Sequence, residues 1–166
     1  MASQLRVDKI VPVDGVPTDG GGGIVQVVQT VKQDQFTTSS TSYVDVTGMS
    51  ATITPKFSTS KILVMVMTTV QQTGTRTRFD IHNSTSGGRI SGSSNGMQGA
   101  EGTSINMPCH MSFLHSPATT DATTYKLQAT GNNSAGTWYI GRTSDDTNAW
   151  YRARACSYLI ATELAG

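Results

Sequence analysis

Carboxylates are the residues whose chemistry would matter most if this chain were an enzyme. The sequence has 11 Asp and Glu among 166 residues, and glycoside hydrolases use two such groups on either side of the scissile bond. Asp45 and Asp80 alternate outward on predicted strands. Five other aspartates lie in segments typical of turns, where Asp hydrogen-bonds to nearby backbone; they are Asp14, Asp19, Asp121, Asp145 and Asp146. This pattern predicts no catalytic carboxylate.

The sequence also offers no arrangement typical of a metal site or of a catalytic nucleophile. His110 and His115 are five residues apart, so they point to opposite faces of a strand and cannot share a metal without a bend. Residues 145–148 could hold a cation through oxygen atoms, but an Asx turn is the preferred interpretation. Residues 92–96, GSSNG, match the letters of G-x-S-x-G but lie in a Gly/Ser-rich segment and not at a strand-to-helix turn. The sequence contains no H-E-x-x-H or C-x-x-C motif. Cys109 and Cys156 lie in apolar strand patterns and are predicted to be small buried hydrophobes. We therefore predict no enzyme, cofactor or metal site.

The composition argues against nucleic acid and membranes as partners. The net charge is +1 and the pI is about 7.8, whereas nucleic-acid binding needs a basic stripe. The nearest features are two short arginine pairs, Arg76 with Arg78 and Arg152 with Arg154, which fit solvent or an interface. The sequence has no apolar run of membrane-spanning length and no secretory signal in its first residues. Neither nucleic acid nor membrane insertion is expected.

The elements that would position these residues are strands. The chain contains 25 Thr, 18 Ser and 17 Gly, and short β-branched runs alternate with turn residues at the spacing of a sandwich or barrel. We expect nine or ten strands in one all-β domain over residues 24–166. A Gly/Ser-rich loop is predicted at residues 83–102, and long loops of this kind are often functional. The loop residues expected to be exposed are Asn83, Arg89, Asn95, Asp145, Asp146 and Trp150.

Residues 61–70, KILVMVMTTV, form the most apolar stretch. In a strand, alternate residues face opposite sides, and here both sides are apolar. A two-layer sandwich covers only one side of a strand, so the other side must meet a further layer or another subunit. The predicted subunit interface consists of Leu63, Val64, Met65, Val66 and Met67.

Residues 1–23 differ from the domain that follows. A short apolar string is followed by glycines at positions 20–23, which make a flexible joint. The string is too short to fold alone, so we expect either an arm that orders on docking to another protein or a strand added to its own sheet. Its apolar residues are Leu5, Val7, Ile10, Val11 and Val13.

Several Ser/Thr-flanked phrases occur in a distinctive order. Residues 27–66 read VVQTVKQDQFTTSSTSYVDVTGMSATITPKFSTSKILVMV, residues 116–142 read SPATTDATTYKLQATGNNSAGTWYIGR, and the chain closes with SYLIATEL. Together with the leader LRVDKIVPVDG, they resemble a module of tailed-phage virion proteins, cyanophages among them. The resemblance implies a jelly-roll-like antiparallel β-sandwich, often trimeric, in a tail fibre, a spike or a capsid decoration. It supplies no catalytic residue, and this chain lacks the fibrous shaft of longer fibre proteins.

The leading hypothesis is thus a virion structural protein, assembled in the bacterial host cytoplasm. Its expected partners are further copies of itself, most simply in a homotrimer, and other virion proteins of the capsid or tail hub. A host surface glycan is a third candidate partner. The alternative hypothesis is a small glycan-binding or glycan-cleaving recognition module, which would be a monomer if it were an isolated carbohydrate-binding domain.

Overall fold

A computed structural model describes residues 23–73, 76–101, 106–131, 136–147, 149–150 and 154–166. These residues form only strands, turns and irregular segments. The strands are β1 (Ile24–Lys32), β2 (Phe36–Thr38), β3 (Val44–Ile53), β4 (Lys61–Gln72), β5 (Arg76–Asn83), β6 (Gly88–Arg89), β7 (Gln98–Glu101), β8 (Met107–His115), β9 (Thr123–Gly131), β10 (Trp138–Ile140) and β11 (Ser157–Leu164). The predicted anchoring arm, including Leu5, Val7, Ile10, Val11 and Val13, lies outside the described residues.

The strands form two antiparallel sheets with jelly-roll connectivity. The β4 sheet has the order β1-β11-β4 with β8 on the other side of β4, and it continues through β10 to β2. The β5 sheet has the order β3-β9-β5, with β6 and β7 both pairing with β5. With β2, β6 and β10 set aside, the order of the eight principal strands is that of two interlocked Greek keys. The predicted antiparallel, jelly-roll-like β-sandwich is confirmed.

The core lies between the two sheets and is built by strict alternation. Along β4, every second residue from Ile62 to Val70 is buried, and the intervening ones are half-buried. Tyr125, Leu127 and Ala129 alternate in the same way on β9 and are fully buried. The inward side chains of both sheets therefore meet in one apolar layer, as sandwich packing requires.

Several local features differ from the sequence-based expectations. The segments predicted as separate strands at residues 42–47 and 50–54 form one strand, β3, with a register shift between Asp45 and Ser50. Gly48 adopts a positive φ of 82° within that irregularity, a conformation that favours glycine. The last strand begins at Ser157, not near residue 149. Cys109 is buried as predicted, but the prediction for Cys156 is wrong, because this thiol is exposed.

A buried carboxylate, Glu163, links several segments of the sandwich through hydrogen bonds. Glu163 on β11 is fully buried. It accepts hydrogen bonds from Ser60 Oγ at 2.7 Å, from the Lys56 backbone N–H at 2.6 Å and from Gln26 Nε2. Burial alone raises the pKa of the Glu163 carboxyl, but these hydrogen bonds outweigh it, so the pKa lies below its ordinary value. The carboxylate thus joins β1 and β11 to the segment before β4.

This arrangement predicts acid-sensitive stability. A carboxyl whose pKa falls on folding contributes stability above its unfolded pKa and loses it as the pH falls through the folded pKa. We expect Glu163→Gln to cost about 1–3 kcal/mol near neutral pH, because the charged acceptor is lost. Urea unfolding of both proteins at about pH 7 and about pH 3.5 measures the difference, which should shrink at the lower pH. An equal difference at both values would show that the Glu163 charge contributes nothing.

Candidate interaction surfaces

The outer face of the β4 sheet is apolar across four strands. Strand pairing aligns its side chains in three rows, each running from β1 through β11 and β4 to β8. One row is Val31, Tyr158, Met67 and His110; the next is Gln29, Ile160, Met65 and Ser112; the third is Val27, Thr162, Leu63 and Leu114. We call this surface the apolar face. Its apolar members are Val27, Val31, Leu63, Met65, Met67, Leu114, Tyr158 and Ile160.

No described residue forms a layer over this face. Val27, Val31 and Leu114 are 56%, 50% and 48% exposed at its margins. A groove of about 270 Å³ runs beside Met65 and Met67 and is bounded by Tyr158 and Ile160 on one side and His110 on the other. Single exposed apolar residues are normal on protein surfaces, but contiguous apolar patches mark interaction sites.

The outer face of the β5 sheet has the opposite character, and we call it the polar face. Its cross-strand pairs include Asp80 with Gln128 and Arg78 with Thr130. Lys126 Nζ lies 2.9 Å from Asp45 Oδ2. An antiparallel sheet that faces water normally alternates apolar and polar residues, and the β5 sheet obeys that rule. The β4 sheet does not follow this rule. Apolar residues on an outer face are therefore specific to the β4 sheet and are not found on both sheets.

The structure divides the predicted interface residues into two groups. Leu63, Met65 and Met67 lie on the apolar face and are half-buried. Val64 and Val66 point the other way and are 0% and 2% exposed in the core between the sheets. They are therefore unavailable to another subunit, and their inclusion in the predicted interface is wrong. Because side chains alternate along β4, one apolar side packs in the core between the sheets and the other forms part of the apolar face.

The predicted exposed loops contain one clear error. Asn83 is buried, and its Oδ1 accepts hydrogen bonds from the N–H groups of Thr85 and Ser86 in an Asx turn. Asn95 and Asp145 are exposed as predicted. Asp146 is half-buried and accepts hydrogen bonds from Arg142 and Arg154.

Trp150 is 96% exposed, which is unusual because Trp is highly buried on average. It lies in the segment between β10 and β11 and was correctly predicted to be exposed.

Arg89 and Asp80 are less exposed than the sequence predicts. The loop that follows β5 folds back over this strand, so Asp80 is completely buried although it points outward from the sheet. Its carboxylate accepts a hydrogen bond from Ser91 Oγ at 2.6 Å and lies 3.4 Å from Arg89 Nε. The predicted long loop thus contains β6 and β7, and it covers part of the polar face.

Chemistry-bearing residues are dispersed over the described part of the chain. Within it, no three His, Cys, Asp or Glu side chains are grouped so as to hold a metal ion. His110 is exposed on the apolar face, whereas His115 Nδ1 lies 2.8 Å from Tyr125 Oη. Burial lowers the pKa of His115 and raises that of Tyr125. The residues that are described include no helix long and apolar enough to cross a membrane.

Comparisons with known proteins add little to this picture. No family model and no curated protein matches the chain. Among solved structures, one of infectious bursal disease virus (Gx strain) is similar, with 16% sequence identity and a TM-score of 0.37. The match covers 88% of this chain, which spans only 37% of that one. A similarity this weak supports no argument, so the fold rests on the strand order above.

Proposed function

We propose that this protein is a non-enzymatic structural component of a tailed-phage particle, a tail-fibre or spike part or a capsid decoration. In this proposal it associates with copies of itself through the apolar face, most simply as a homotrimer. Jelly rolls serve as viral capsid and lectin domains, and the phrases of this sequence resemble virion modules of tailed phages. A fold alone does not specify a function, so the proposal depends on a particular surface.

The apolar face is the observation that carries the proposal. Fully burying one Leu, Ile or Met side chain is worth about 1.5–3 kcal/mol, and this face places several of them side by side. Leu63, Met65 and Met67 are half-buried by their neighbours, so each keeps apolar surface that a second such face could cover. Association would remove this hydrocarbon from water and leave the polar face outward.

The position of β1 suggests how such an assembly is attached to a particle. Gly23 accepts a hydrogen bond from Ala165 N at 3.0 Å, just before β1 begins on the margin of the β4 sheet. The described part of the chain therefore begins beside the apolar face, directly after residues 1–22. In the proposal, their apolar string anchors the oligomer to the capsid or tail hub, within virions assembled in the bacterial host cytoplasm.

Removal of the arm tests this attachment. We expect the chain without residues 1–20 to remain a folded oligomer of unchanged subunit number, because the apolar face is intact, but to be missing from purified particles. Particle incorporation is measured with a labelled copy expressed during infection, and imaging of the labelled full-length chain locates it on the capsid or the tail. Normal incorporation of the truncated chain would contradict the anchoring role.

The competing function is a glycan-binding or glycan-cleaving module that acts as a single chain. The observation in its favour is a polar recess on the polar face, described below. Release of new reducing ends from host polysaccharide, abolished by an Asp-to-Asn substitution, would establish the cleaving form and overturn the non-enzymatic proposal.

A further inference from the structure

A recess of about 510 Å³ lies on the polar face, on the side of the molecule opposite the apolar face. Its volume falls within the range of about 300–1,000 Å³ that is typical of small-molecule sites. No aliphatic side chain lines it. The lining residues are Tyr43, His82, Gly87, Gly88, Arg89, Gly92 and Gln128.

Arg89 is held rigidly at the wall of this recess. Its guanidinium carbon lies 4.4 Å from the centre of the Tyr43 ring, a cation–π distance. Its Nε lies 3.3 Å from the Ser93 carbonyl oxygen and 3.4 Å from the buried Asp80 carboxylate. Asp80 is itself fixed by Ser91 Oγ and by the backbone N–H of Ile81. Such outer contacts preorganise a binding group.

The hydrogen bonds of Arg89 leave its terminal groups uncommitted. Among the described residues, its hydrogen-bond and ion-pair contacts all use Nε, and the side chain is 31% exposed. The two terminal amino groups form a planar fork, which matches the two oxygens of a carboxylate better than a lysine ammonium does.

The rest of the lining offers hydrogen bonds and space. His82 Nδ1 and Tyr43 Oη are buried without a hydrogen-bond partner among the described residues, and such atoms are exceptions in proteins. Gly87 and Gly92 have φ values of 78° and 65°. A Cβ at either position, or at Gly88, would meet no atom within 4 Å. The glycines therefore leave one wall open.

We propose that this recess binds a carboxylate-bearing sugar unit, such as a uronic acid residue of a surface glycan. The Arg89 fork holds the carboxylate, and His82 and Gln128 hydrogen-bond to sugar hydroxyls. The two surfaces lie on opposite sheets, so glycan binding here does not require the self-association proposed above, and each can fail without the other.

Three probes test the ligand class on the full-length protein by NMR titration. They are methyl β-D-glucuronide, methyl β-D-glucoside, which lacks only the carboxylate, and acetate, which lacks the sugar. We expect saturable binding of the glucuronide, with shifts centred on the amides of His82, Gly88 and Arg89, and affinity at least about tenfold above that of the other two. Absence of saturable glucuronide binding, or equal affinity for all three, would refute the proposal.

A matched pair of substitutions tests the role of the fork. Arg89→Lys keeps the charge but removes the planar fork, and should weaken glucuronide binding about tenfold or more. Arg78→Lys makes the same chemical change on the same strand pair outside the recess, where Arg78 contacts Asn95 at 3.4 Å, and should leave affinity within about twofold. Equal losses in both variants would rule out the Arg89 fork. Light scattering should give both variants the wild-type mass, which separates this test from that of self-association.

Discussion

Met65→Asp is expected to convert the proposed oligomer into folded monomers. Met65 occupies the middle row of the apolar face, between Ile160 on β11 and Ser112 on β8. In the free subunit the new carboxylate stays in contact with water, so the domain still folds. In the oligomer it would be buried without a partner, at a cost of about 3–5 kcal/mol, or roughly a hundredfold or more in association. Size-exclusion chromatography with light scattering gives the subunit number directly.

Two comparison variants make this prediction specific to the face. Ser50→Asp adds the same charge to the polar face, opposite Lys126, and should leave both mass and stability unchanged. Val64→Asp moves the charge by one residue into the core between the sheets, where Val64 is 0% exposed, and should unfold the domain. If Met65→Asp and Ser50→Asp had the same mass as wild type, the apolar face would not be a subunit contact.

Gly131→Ala is expected to destabilise the domain strongly. Gly131 ends β9 in the β5 sheet, and the fully buried ring of Trp138, from the other sheet, lies over it. A Cβ at position 131 would fall 1.8 Å from Trp138 Cη2, which is far inside contact distance. The ring must move, and it would lose the hydrogen bond from its Nε1 to the Arg76 carbonyl oxygen, 3.1 Å away.

The expected cost of this substitution is about 3 kcal/mol, at the upper end for overpacked cores. For a domain of this size it corresponds to a Tm lower by roughly 6–12 °C, which differential scanning calorimetry detects easily. Gly99→Ala is the matched control, because its Cβ would lie at an ordinary 3.5 Å from the Thr77 carbonyl oxygen; its effect should stay within about 0.5 kcal/mol. Wild-type stability of Gly131→Ala would show that Trp138 does not pack against this glycine.

Strand periodicity predicted much of this fold. Alternation predicts the inward residues of β8 and β9, and Pro108, which has no N–H for a ladder, predicts an edge or a bulge. Among the described residues, β8 pairs with β4 at the edge of its sheet. The short strands β2 and β7 were missed, because three or four residues are too few to show a period and β7 contains Gly99. Their pairing partners, not their own composition, make them strands.

The two surfaces were predictable to different degrees. The β4 sequence alone predicts part of the apolar face, because each apolar side of a strand must pack against another layer or subunit. The contributions of Tyr158 and Ile160 depend on the register between β11 and β4, which no local pattern encodes. The recess combines Tyr43, Arg89 and Gln128 from distant segments. In the sequence, the Gly/Ser-rich loop predicted at residues 83–102, which includes Arg89, pointed toward it.

Sedimentation equilibrium of the purified full-length chain over a range of dilutions is the most direct test of self-association. The proposal predicts a mass three times the 17.6 kDa of one chain, falling toward that of one chain only at high dilution. A mass of 17.6 kDa at every concentration would contradict the proposed assembly. It would mean that the side of β4 carrying Leu63, Met65 and Met67 remains exposed to water.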